Sequence, residues 1–171
     1  MNNHRPHTKD YVLEFTLKEI KYDVKFDSWL KSKVANREEH NRNPRSEKVG
    51  YAYDDDRAED WLIRQTDTAM NNVRGELAWC VVEDSRTDSD EILENPDKWW
   101  LHLHFSENWR GSARAIKSAV HTYITNYILA QWYRATMPRE ADTYLLNAND
   151  CLTRAYNEAR SEVVSYKPWN L

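Results

Sequence analysis

Four groups of residues in this chain carry side chains able to do chemistry. The first is Asp54-Asp55-Asp56, followed by Glu59. Consecutive carboxylates supply hard oxygen ligands for a divalent cation, as in enzymes that transfer sugars or phosphates. The same aspartates stand just before an apolar-periodic segment, where carboxylates cap free backbone N–H groups and meet the positive end of a helix dipole. Capping is the reading adopted. The second group, Asp84, Asp88, Asp90 and Glu91, imitates a calcium loop. It lacks the spacing and the glycine of that loop's sharp turn, and reads as solvated chain. The third is His102 and His104, two apart on an alternating segment, so both imidazoles leave from one face, a spacing known in metal sites. A metal there needs a third ligand such as His121 or a carboxylate, and nothing in the sequence points to one; surface or interface histidines are expected. The fourth is Cys80 and Cys151, on or near apolar faces of predicted helices and expected as buried free thiols rather than a disulfide. No basic or histidine neighbour is read along the face of Cys151, so no nucleophile is expected there. Gly-x-Ser-x-Gly, His-Glu-x-x-His, Cys-x-x-Cys and phosphate-loop patterns are all missing. The chain is expected not to be an enzyme, and no catalytic residue, metal or cofactor is assigned.

Composition points the same way. The formal charge of −4 argues against a protein held to nucleic acid by neutralising phosphates. Lys31, Lys33, Arg37, Arg42, Arg45 and Lys48 gather near one polar stretch, but Glu38, Glu39 and Glu47 dilute them. Only a transient touch on DNA is expected, with Arg37, Arg42 and Arg45 as its residues. Three glycines disfavour phosphate-cradling loops, whereas 8 tryptophans and 10 tyrosines supply residues enriched at protein interfaces. No run approaches the apolar length of a membrane span, and residues 1–10 lack the apolar stretch of a signal peptide.

The elements that must position these groups can be read from periodicity. From Ala113 to Val163 two amphipathic helices are expected. The first has Ile116, Ala119, Val120, Tyr123, Ile124, Tyr127, Ile128, Trp132 and Ala135 on one face. The second has Ala141, Tyr144, Leu145, Ala148, Leu152, Ala155, Tyr156, Ala159 and Val163. Pro138 fits a first turn and not a helix interior, which puts the boundary at Thr136 or Met137 and makes the pair antiparallel. Ser112 is the expected N-cap. Upstream, Arg57 to about Val82 is a third helix, in which Gly75 costs about 1 kcal/mol relative to alanine and permits close packing. Tyr11–Leu17 and Trp99–Phe105 alternate as half-buried strands. Glu19–Val34 fits a strand through Ile20, Tyr22, Val24 and Phe26 and a helix through Ile20, Val24, Trp29, Leu30 and Val34, so period alone does not decide it. The expectation is one mainly α domain over residues 1–171. It has three long helices including a C-terminal antiparallel hairpin, a sheet of two or three strands, a flexible leader (1–10), a mobile loop (35–53) and an extended tail (165–171).

The order strand, polar loop, Asp-Asp-Asp-Arg-Ala-Glu-Asp-Trp-Leu helix, Trp-Trp-Leu-His-Leu-His-Phe strand and a helix pair turned at Met-Pro-Arg-Glu-Ala resembles helical head–tail connector (neck adaptor) proteins of tailed bacteriophages, especially phages of gut Bacteroidota. The residues carrying it are Tyr127, Ile128, Trp132, Tyr133, Thr136 through Ala141, Tyr144, Ala148 and the tail Tyr166–Trp169. The first fifty residues depart from that pattern. The resemblance implies a virion structural protein at the neck, made in the host cytoplasm. Its copies would form a homo-oligomeric ring, a dodecamer, below the portal and around the DNA channel, touching portal and downstream neck or tail proteins. Interface residues are expected at Tyr166, Pro168, Trp169, Trp132, Tyr133 and Trp109, because buried aromatics dominate interface energies. The alternatives are a cytoplasmic helical binding or regulatory protein and, further off, a small metal-dependent enzyme.

Overall fold

A computed structural model describes residues 8–42, 56–82 and 97–161. The elements run β1 (Thr8–Thr16), α1 (Leu17–Arg42), α2 (Asp56–Glu76), β2 (Lys98–Ser106), α3 (Ala113–Tyr133) and α4 (Pro138–Ala159). The protein is mainly helical, with one small two-stranded antiparallel sheet.

β1 and β2 pair without a bulge from Thr8↔Ser106 to Thr16↔Lys98. Their alternation is resolved as expected. Leu13 and Phe15 face inward with Trp99, Leu101, Leu103 and Phe105, while His102 and His104 lie on the opposite face. The strand starts earlier than read, so Thr8, Lys9 and Asp10 belong to the sheet and not to a flexible leader; residues 1–7 lie outside the described chain. Val81 adds an isolated bridge to Leu103, the nearest thing to a third strand among the described residues.

α1 corrects the reading most. Among the described residues it makes four helices where three were expected, and it carries the helix through Arg42, over residues assigned to a mobile loop. Strong helix formers such as Arg37, Glu38 and Glu39 propagate a helix already nucleated, and the first breaker is Pro44. The rest of that expected loop, residues 43–53, falls outside the described chain. The ambiguity of the run also has a physical cause. Leu17, Ile20, Val24 and Ser28 are buried, whereas Tyr22, Phe26, Trp29 and Leu30 are exposed. On a helix the i, i+4 pairs Ile20/Val24 and Tyr22/Phe26 point in opposite directions, so two apolar faces interleave and imitate a period of two.

α2 buries Leu62, Ile63, Thr66, Ala69, Met70 and Val73. It ends at Glu76, six residues before the expected end, and passes through a turn that buries Leu77 and Cys80. A Cβ placed on Gly75 would meet nothing within 4 Å, so this glycine permits no close packing; it sits exposed in the last turn.

Ser112 caps α3 as expected, with backbone angles of −110° and 114° and its side chain accepting from Ala115 N–H. Pro138 takes the first position of α4 after the N-cap Met137. α3 and α4 pack along each other. α4 buries Ala141, Ala148, Cys151, Ala155 and Ala159, small residues that let the bulky face of α3 come close. At one end of the contact the Tyr133 and Tyr144 rings stack at 5.8 Å. At the other, Trp109 Nε1 donates to Glu158 O at 3.2 Å and Ser112 N to Glu158 Oε1 at 2.6 Å. Ala135, expected on the stripe of α3, is exposed in the turn, while Leu129 and Tyr133 fill the core instead. Leu145, expected on the stripe of α4, is also exposed.

Gly111 sits where β2 turns into α3. A Cβ there would collide with Glu158 O and lie 2.6 Å from two ring atoms of Trp109. Gly111→Ala is therefore expected to destabilise by about 1–3 kcal/mol, as overpacking does when backbone must yield. A chemical-denaturation midpoint equal to that of the parent protein would refute this.

Candidate functional site

The chemistry-bearing residues are distributed rather than gathered. His104 Nδ1 and Asp10 Oδ1 are 2.6 Å apart across the exposed face of the sheet, and His121 Nε2 and Asp23 Oδ2 are 2.7 Å apart between α3 and α1. His121, the ligand a metal at His102/His104 would need, is thus committed to α1. Among the described residues no three His, Cys, Asp or Glu side chains stand close enough to hold a metal ion. Asp56 opens α2, and Asp54 and Asp55 lie outside the described residues, as do Asp84, Asp88, Asp90 and Glu91. Among the described residues no hydroxyl or thiol hydrogen-bonds the His121 imidazole, so the His121–Asp23 pair reads as a joint between two helices.

Both cysteines are free and buried. Burial pushes the Cys80 thiol up to about 11, and it donates to Leu77 O at 3.4 Å. Cys151 corrects the sequence reading: Arg154, one turn on, places Nη2 2.8 Å from its Sγ. A spacing of i, i+3 was the signal that would have revealed it. Because an alkylating reagent must reach the sulfur and both are buried, neither thiol is expected to react at pH 8 until the protein unfolds. Rapid labelling of the folded protein would contradict this.

Burial and the neighbouring Asp23 charge hold the Asp27 carboxyl above the usual aspartate range. A carboxyl raised on folding weakens the fold at pH above its folded value and ceases to do so below its unfolded value. Asp27→Asn is expected to raise stability modestly at neutral pH, with the gain vanishing in acid. A melting curve series across pH checks the sign.

An open groove of about 830 Å³ separates the first halves of α1 and α3. Lys18, Lys21, Lys25, Arg114 and Lys117 line it, with Glu19 and Asp23 as its acids and Tyr22 on its wall. Lys21 is ion-paired with Glu59 of α2, and Lys31 bridges to Glu140 of α4 at 2.5 Å. These pairs tie α1 to the other helices.

The expected interface residues divide three ways. Trp109 and Tyr133 are buried in this chain's own core and unavailable to a neighbour. Trp109 stacks on Phe105 with ring centres 4.1 Å apart and meets the edge of Tyr11. Tyr133 is enclosed between α1 and α4, its hydroxyl donating to Ser28 O at 3.5 Å. Trp132 is half-buried, edge-on to Trp61 at 5.6 Å, so its own chain covers part of it. Tyr166, Pro168 and Trp169 lie outside the described residues, as does Arg45; Arg37 and Arg42 lie on α1 and not on a loop.

The residues that sequence reasoning missed as surface are Tyr22, Phe26, Trp29, Leu30 and Val34 on α1, joined by Trp79 after α2 and Leu146 on α4. The signal for α1 was present as a second apolar face at helical spacing. Arg160 lies over the Trp79 ring at 5.7 Å. No described helix is long and apolar enough to cross a membrane. Comparison with protein-family models, curated proteins and solved structures finds no match to this chain.

Proposed function

We propose that this protein is a virion structural subunit, a head–tail connector whose copies close into a ring below the portal and around the DNA channel. The observation that carries the reading is the set of large apolar side chains left outside the core on separate elements, Tyr22, Phe26 and Trp29 on α1, Trp79 beyond α2 and Leu146 on α4. Distinct apolar patches on one subunit suit a ring, where each copy offers one patch to its neighbour and a different one to the next. The long α3–α4 pair, read as an antiparallel hairpin, supplies the stiff wall. The Tyr127–Ala148 residues that resemble neck adaptors add support, although α1 stands where that pattern has a loop. On this reading the copies form a dodecamer, contact portal and the next neck or tail protein, and touch DNA only in passing.

The tail Tyr166–Trp169 is proposed as an anchor on a neighbouring protein. Mixing the purified chain with the portal protein encoded in the same genome is expected to give discrete rings by electron microscopy. Truncation after Val164 is expected to abolish them while leaving helix content by circular dichroism intact. Rings formed as readily by the truncated chain would remove the tail from the account. A stable monomer that never joins a particle would favour a cytoplasmic binding or regulatory protein instead.

A further inference from the structure

The outer face of α1 carries five of the large apolar side chains left exposed among the described residues. Tyr22 is 68 % exposed, Phe26 50 % and Trp29 41 %, with Leu30 and Val34 continuing the face at 48 % and 49 %. Tyr22 and Phe26 stack at 6.4 Å with planes 8° apart, and Phe26 leans on Trp29 at 6.2 Å. Aromatic side chains bury 150–250 Å² each, so the face presents roughly 500 Å² of apolar surface, near the upper end of what monomeric proteins leave bare.

The charges bordering this face are sorted by sign. Lys18, Lys21 and Lys25 follow one edge at i, i+3 and i+7, and Glu19, Asp23 and Asp27 follow the other at i, i+4 and i+8. Lys21 and Asp23 are already paired within the chain, with Glu59 and His121. The match between copies therefore falls to Lys18 and Lys25 on one edge and Glu19 and Asp27 on the other. A parallel copy sets the basic edge against the acidic one. An antiparallel copy would set lysine against lysine and carboxylate against carboxylate. Lys33, in the middle of the face, lies 4.9 Å over the Trp29 ring and is held against its own helix.

We propose that α1 packs in parallel against α1 of a second copy of this chain. The apolar stripe with its two charged borders approaches the roughly 800 Å² per partner of a specific interface. The arrangement does not rest on the connector reading, since it needs neither portal nor a particle. In a ring it makes the α1 face a self-contact and leaves Trp79 and Leu146 for the contacts between unlike patches.

Sedimentation velocity on the full chain over rising concentration tests it. The parent protein is expected to sediment as more than one chain, and Phe26→Ser with Trp29→Ser as a single chain with unchanged helix signal. Lys18→Glu with Lys25→Glu, which leaves the apolar face intact, is expected to weaken association at least tenfold. Lys33→Cys tests direction. Parallel copies bring the two new thiols together, so mild oxidation is expected to give a cross-linked pair, while buried Cys80 and Cys151 do not contribute. A parent protein that stays a single chain at every concentration overturns the proposal, as does association untouched by both sets of substitutions. Association without cross-linking at position 33 overturns the parallel direction.

Discussion

Trp109→Ala is expected to cost about 3–5 kcal/mol, the range for removing a large aromatic from a packed core. The indole joins three parts of the chain. Its ring stacks on Phe105 of β2 and meets the edge of Tyr11 of β1, and its Nε1 donates to Glu158 O near the end of α4. Its own carbonyl accepts from Lys9 Nζ at 2.8 Å. Truncation leaves a cavity under the sheet and removes one of the hydrogen bonds to the Glu158 carbonyl, which keeps that from Ser161 N, so the loss is mainly of transfer and packing. Trp109→Phe keeps a ring over Phe105 and should recover most of the loss. Denaturant unfolding of the two variants checks the order; equal midpoints for Trp109→Ala and the parent would refute the packing described.

Tyr133→Ala is expected to cause a loss of similar size, about 3–5 kcal/mol. This ring closes the end of the core where α1, α3 and α4 converge, stacked on Tyr144, with its hydroxyl at the far limit of a hydrogen bond to Ser28 O. Burial pushes its phenol far above the usual tyrosine range, so it stays neutral under ordinary conditions. Tyr133→Phe removes only that long bond and is expected to cost under about 1 kcal/mol. A large loss from Tyr133→Phe would mean that the hydroxyl, and not the ring, holds the three helices.

The sequence made the fold legible where one face of an element is apolar and the other is not. β2 alternates cleanly, and Ser112 and Pro138 mark helix starts by chemistry that admits few other positions. α1 was illegible because it is apolar on two faces, one packed on the core and one bare, which destroys the usual contrast. Trp109 and Tyr133 were misplaced for a related reason: residue type says that an aromatic is energetically important, not whether its partner belongs to the same chain. The surface stripe Tyr22–Phe26–Trp29 was missed because helical placement had to be known before the outward side could be distinguished. Cys151 and Arg154 were within reach of the sequence, since their spacing already sets them one turn apart.

His104 and His121 pair with carboxylates, Cys80 and Cys151 are enclosed, and aromatic side chains stand bare on the outer face of α1. That distribution underlies the assembly role proposed above. The most direct measurement is to localise the polypeptide in purified particles by mass spectrometry and gold-labelled antibody. The account predicts the chain in every particle, in stoichiometric copies, with label confined to the junction of head and tail. Particles that carry none of it would contradict the account outright.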